Sequence, residues 1–88
     1  AKDGWIAWQY DRSDIGEGLV QVFRRPDSVT ATTTYKLLGL RASSQYEVTD
    51  LDLGTNVTKA GAALMQEGLA VEITTKPGSA MIKYKCLD

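Results

Sequence analysis

The 88-residue chain has no histidine, one cysteine, two prolines and one phenylalanine. Without histidine it lacks the commonest metal ligand and the commonest acid–base side chain near neutral pH. Its serines, 13, 28, 43, 44 and 79, have no imidazole to activate them. The lone Cys86 cannot close an internal disulfide, and a zinc framework needs several ligands at set spacing. No cofactor and no metal is expected. Charge of one sign is also missing: ten basic residues face eleven acidic ones. There is no basic excess to meet a phosphate backbone, which counts against nucleic acid. The apolar runs are only a few residues long, so no helix of this chain is expected to span a membrane. A soluble domain is expected, with no compartment indicated. There is no signal-like segment and no initiator methionine. Lys2, Asp3 and Gly4 read as loop, so the chain reads as a piece excised from something longer.

What is present is alternation. Hydrophobic residues make up 43% of the chain, enough for one modest core and a single domain over residues 1–88. A chain of this size buries roughly 60–65% of its unfolded surface, which leaves little room for a deep cavity. In "LAVEITT", Leu69, Val71 and Ile73 share one face; in "AMIKYKC", Ala80, Ile82, Tyr84 and Cys86 do. Cys86 in that phase reads as a small buried apolar residue. "GWIAWQYD", "GLVQVFRR", "ATTTYKLL" and "QYEVTDL" complete a series of six strands, with a further short strand near residues 55–58. "DRSDIGEG" reads as a hairpin loop between the first two strands. Lys76-Pro77-Gly78-Ser79 reads as a second hairpin turn. One segment breaks the period: Ala62 to Glu67 are good helix formers, and Gly68 follows where a helix end takes a left-handed conformation. The expected fold is all-β, a Greek-key-like antiparallel β-sandwich of about six to eight strands, with one short helix near residues 61–67 carrying Leu64 or Met65 onto the sheet.

The aromatics concentrate in "WIAWQYD", residues 5 to 11. Side chains alternate along a strand, so Trp5 and Trp8 point to opposite faces. Trp8 shares its face with Ile6 and Tyr10, which reads as core. Trp5 shares its face with Ala7 and Gln9, which reads as surface. Trp5 is therefore a candidate for inter-domain contact or for sugar stacking. Arg24 and Arg25 end a strand before Pro26, which would stop its pairing, and they are candidates for ion pairs across a domain interface.

No catalytic constellation is expected. A glycosidase needs two carboxyl groups facing each other across the scissile bond. Asp50 and Asp52 in "TDLDLG" share a strand face, but aspartates at strand ends commonly hold turns. "GEG" lacks the Lys-Ser/Thr and the helix of a phosphate loop. "DLDLGTN" offers oxygens but is no EF-hand loop.

Several stretches, taken in order, resemble one family. "WIAWQYD", "GEGLVQVFRRPDS", "YKLLGL", "YEVTDLD" and "AGAALMQEGLAVEI" are similar to the C-terminal domain of glycoside hydrolase family 36, the α-galactosidase family. The resemblance runs from about Trp5 to Tyr84. It implies a small antiparallel sandwich appended to a barrel enzyme whose catalytic aspartates lie in the barrel. No position here matches those aspartates, so no catalytic residue is carried over. The resemblance implies a non-catalytic domain that packs on, stabilises or assembles the catalytic barrel of its own parent chain. The alternative is a carbohydrate-binding module that presents galactosides to that barrel. An excised domain of this kind is also expected to self-associate through its exposed face.

Overall fold

A computed structural model describes residues 4–75 and 77–87. The described chain forms seven strands and one helix, in the order β1 (Trp5–Arg12), β2 (Glu17–Arg24), β3 (Thr32–Tyr35), β4 (Gln45–Asp50), β5 (Thr55–Ala60), α1 (Gly61–Gln66), β6 (Leu69–Glu72) and β7 (Gly78–Cys86). The strands make two antiparallel sheets, one of five in the order β1-β2-β7-β4-β5 and one of two, β3-β6. This is the sandwich the alternation predicts, with the extra strand near residue 55 present as β5.

The strand order follows from apolar pairs. β7 lies between β2 and β4, where Ile82 faces Val20 and Tyr84 faces Val48. All four are buried. β6 turns Leu69 and Val71 inward beside Tyr35 and Thr33 of β3. β6 and β7 are therefore not joined as a hairpin, contrary to the turn expected at Pro77 and Gly78. β6 pairs with β3 in the small sheet, while β7 pairs with β2 and β4 in the large one. Pro77 and Gly78 permit a reversal, but the partner of each strand is chosen by long-range packing. Lys76 lies outside the described residues.

The helix behaves as its composition suggests. Leu64 is buried and Met65 packs partly against the core. Gly68 has φ +97°, a conformation that side chains resist, and its N–H donates to the Ala63 carbonyl at 2.9 Å. α1 directly follows β5 and holds the loop before β4, where the Leu37 N–H donates to the Leu64 carbonyl at 3.1 Å.

The small sheet lies toward the β1 side of the large one. The Tyr35 hydroxyl donates to the Ala7 carbonyl at 3.3 Å, and Trp5 Nε1 donates to Thr30 Oγ1 at 3.2 Å. β5 is exposed over nearly its whole length. Tyr46 and Val48 of β4 are buried, so the strip left uncovered is β5.

Candidate interdomain surface

The register of the large sheet sorts the "WIAWQYD" side chains by face. On β1, Trp5, Ala7 and Gln9 pair with Arg24, Val22 and Val20 of β2. The two valines are fully buried and set that face as the interior. Trp5 is accordingly 3% exposed, and Trp8, on the opposite face, is 46% exposed. This reverses the expected assignment of the two tryptophans. The reason is Gln9, whose polarity marks its face as surface in the sequence. In the fold its amide is fully used. Gln9 Oε1 accepts from the Leu38 N–H at 2.9 Å, while its Nε2 donates to the Leu38 carbonyl and to the Tyr84 hydroxyl, each at 2.8 Å. A polar side chain satisfied in this way can lie against a core.

Tyr84 extends the same network. Its hydroxyl donates to Asp11 Oδ1 at 2.6 Å. Burial, then the hydrogen bond to the Asp11 carboxylate, pushes this phenol well above the ordinary tyrosine value. The ring packs against Gly18, its partner on β2, where an added Cβ would collide with the ring and its hydroxyl. That close approach is why "GLVQVFRR" begins with glycine.

Arg24 is also inside, 6% exposed rather than solvated at a strand end. It sits opposite Trp5, and its guanidinium donates to the Ile73 carbonyl at 2.8 Å and the Ser28 carbonyl at 3.4 Å. Its Nε has no hydrogen-bond partner among the described residues. Arg24 and Trp5 thus close one end of the sandwich, which the sequence could not show because Thr30 lies 25 residues from Trp5 and Ile73 lies 49 from Arg24. Of the three candidate residues, Arg25 alone keeps an exposed side chain, 3.9 Å from Asp27.

The outward face of the large sheet carries the remaining rings. Ile6 pairs with Phe23, Trp8 with Gln21, and Tyr10 with Leu19. Trp8 and Phe23 meet edge to face, with centroids 5.5 Å apart and planes at 80°. Met81 of β7 stands beside Gln21, and its carbonyl accepts from the Leu51 N–H at 2.9 Å. Toward the other end the face becomes charged: Glu17 lies 3.7 Å from Lys83 and pairs across the ladder with Lys85, itself opposite Glu47. In the hairpin loop, Arg12 binds Asp14 at 2.8 Å and holds its carboxyl below the usual carboxylate range. The surface is therefore graded, with aromatic and apolar side chains at the Ile6–Phe23 end and alternating charge at the Arg12–Glu17 end.

The carboxylates with the right spacing are otherwise engaged. Asp50 Oδ1 accepts from the Asp52 and Leu53 N–H groups at 2.9 and 3.0 Å, and Asp52 Oδ2 accepts from the Met81 N–H at 2.9 Å. These are turn-holding contacts. Among the described residues no three His, Cys, Asp or Glu side chains gather as a metal site.

Comparison with known proteins gives one consistent result. The family model "Glycosyl hydrolase family 36 C-terminal domain" matches residues 5–83. The galactosidase domain of the α-galactosidase–sucrose kinase AgaSK matches with a TM-score of 0.74 and 25% identity, over 97% of this chain and 12% of that one. The GH36 α-galactosidase AgaB from Geobacillus stearothermophilus matches with a TM-score of 0.76 and 26% identity, over 98% of this chain and 12% of that one. The α-galactosidase from Lactobacillus brevis, at 16% identity and a TM-score of 0.76, shares the fold over 100% of this chain and 12% of its own. This chain thus spans about an eighth of the length of these structures. No curated protein matches it.

Proposed function

The chain belongs to the glycosyl hydrolase family 36 C-terminal domains, and from that membership we propose that it is a non-catalytic C-terminal domain of a longer α-galactosidase, packed on the catalytic barrel through the outward face of its large sheet. The observation that supports this is the graded face itself. Ile6, Trp8, Tyr10, Phe23 and Met81 lie together on a side that no described element covers. A free-standing sheet exposed on one side usually alternates apolar-in with polar-out. Here β1 carries Trp5 and Ala7 on one side and Ile6, Trp8 and Tyr10 on the other, as when each side has something to pack against. Inter-domain contacts of this kind typically bury roughly 600–1,500 Å². The Arg12–Glu17 end, already paired in charge, would lie at the solvated rim. Arg25, exposed at the end of β2, is available to a carboxylate of the facing domain. Hydrolysis itself would be carried by aspartates of the barrel.

The test compares Trp8→Ala in the full-length enzyme and in the isolated 88 residues. The thermal midpoint of the full-length enzyme should fall by several degrees more than that of the isolated domain. Equal shifts in both would sink the docking role of this face. An amide NMR titration of the isolated domain with galactose supplies the contrary outcome: saturable shifts clustered at Trp8 and Tyr10 would make the face a sugar platform instead.

A further inference from the structure

The opposite side of the large sheet carries a second incomplete surface. β6 pairs only with β3 among the described residues, so its other edge is open. All four β6 residues border a groove of about 270 Å³. The floor of the groove is formed by the buried Val48 and Ile82 together with Thr55 and Val57 of the uncovered β5. Leu53 stands at its mouth, 71% exposed, and Val57 is 48% exposed. Asp50 and Glu72 also line it, and no lysine or arginine does.

An open strand edge beside an exposed apolar strip has the chemistry of a site for a missing strand. Neighbouring strands lie about 4.8 Å apart, so a strand added to β6 would run over β4 and β5 and set alternate side chains on the floor. An open edge supplies main-chain hydrogen bonds to such a strand, and the floor supplies its side-chain preference. We propose that this groove receives one extended segment from elsewhere in the same longer chain, added as a third strand to the β3–β6 sheet, with apolar residues facing Leu53 and Val57 and a lysine or arginine opposite Glu72. The proposal rests on the reading that these residues are one domain of a longer enzyme. The similar α-galactosidases carry most of their length outside the matched 12%, which supplies a source within the chain. The acidic lining selects the sign of the segment's charge.

Two measurements test it. Amide hydrogen exchange across Leu69–Glu72 should be at least about tenfold slower in the full-length enzyme than in the isolated domain, because an added strand protects the outer-edge amides. Leu53→Lys and Val57→Lys replace exposed residues, and each should shift the isolated domain's midpoint by no more than about 2 °C. In the full-length enzyme each should lower the midpoint further and restore fast exchange to β6. Exchange at β6 that is equally fast in both forms would overturn the proposal, as would lysine variants that leave the full-length enzyme unchanged. Trp8→Ala separates the two readings. If it destabilises the full-length enzyme while the groove variants do not, only the strand-addition proposal fails; if none of them does, the longer-chain docking reading fails with it.

Discussion

Trp5 and Trp8 sit three residues apart on one strand and meet opposite surroundings. Trp5 lies under Thr30 at the closed end of the sandwich, beside the buried Arg24. Trp8 lies on the outward face, touching Phe23 edge-on with half its surface free. The two faces of the β1–β2 hairpin are both rich in apolar atoms, yet one is sealed by β3, β6 and their loops and the other is bare. Hydrophobicity alone does not distinguish an interior from an interface. What distinguishes them is whether a covering element comes from within the same domain. The inner face also admits polar groups wherever each finds partners, as Gln9 does. The outer face tolerates a tryptophan because the ring is half covered by its neighbours and lies on flat sheet, where another surface can meet it.

This contrast can be broken from its strongest side first. Trp5→Ala should cost about 3–5 kcal/mol, the usual range for truncating a buried tryptophan. A domain of this length holds only roughly 4–13 kcal/mol, so chemical denaturation should find the variant largely or wholly unfolded. Next comes Gly18→Val, which forces a side chain into the Tyr84 ring and should cost about 1–3 kcal/mol by overpacking. Loss of the Tyr84 environment in the near-ultraviolet circular dichroism would accompany it.

Tyr84→Phe probes the polar part of the interior through pH. The folded state raises this phenol's pKa, so it favours the protonated form. That contribution is complete below the unfolded value near 10 and is lost as pH rises above it. Unfolding curves should therefore show stability falling above pH 10, and Tyr84→Phe should flatten that fall. An unchanged alkaline slope would mean Tyr84 is not the group responsible. The smallest effect belongs to Trp8→Ala in the isolated domain, about 1 kcal/mol from its edge-to-face contact and partial burial. A loss as large as that of Trp5 would erase the distinction between the faces.

Much of the architecture was legible in the residues. Period-two alternation marked the β6 and β7 regions with their correct inward sets, and the good helix formers before Gly68 marked α1. The Asp, Ser and Gly of "DRSDIGEG" marked the first hairpin. The order of short motifs carried the family resemblance. Gly18, prominent in that resemblance, acquires its reason only in three dimensions, from the Tyr84 ring packed against it. The candidate surface was less legible. "WIAWQYD" shows that two faces exist but not which one is inside. Its only polar residue before Tyr10, Gln9, pointed to the wrong face because its partners, Leu38 and Tyr84, are 29 and 75 residues away. Arg24 misled for the same reason, its charge suggesting solvent while the Ile73 carbonyl, 49 residues away, receives it.

The amino-acid sequence by itself determined an antiparallel β domain with one short helix and no histidine. Those properties depend on local periodicity, turn chemistry and composition, which neighbours along the chain decide. Only the tertiary structure decided which face of β1 is the core, that β6 and β7 separate into different sheets, and that an uncovered strip remains beside β6. Each of these depends on pairings between distant residues, and on whether a buried amide, phenol or guanidinium finds its partner there.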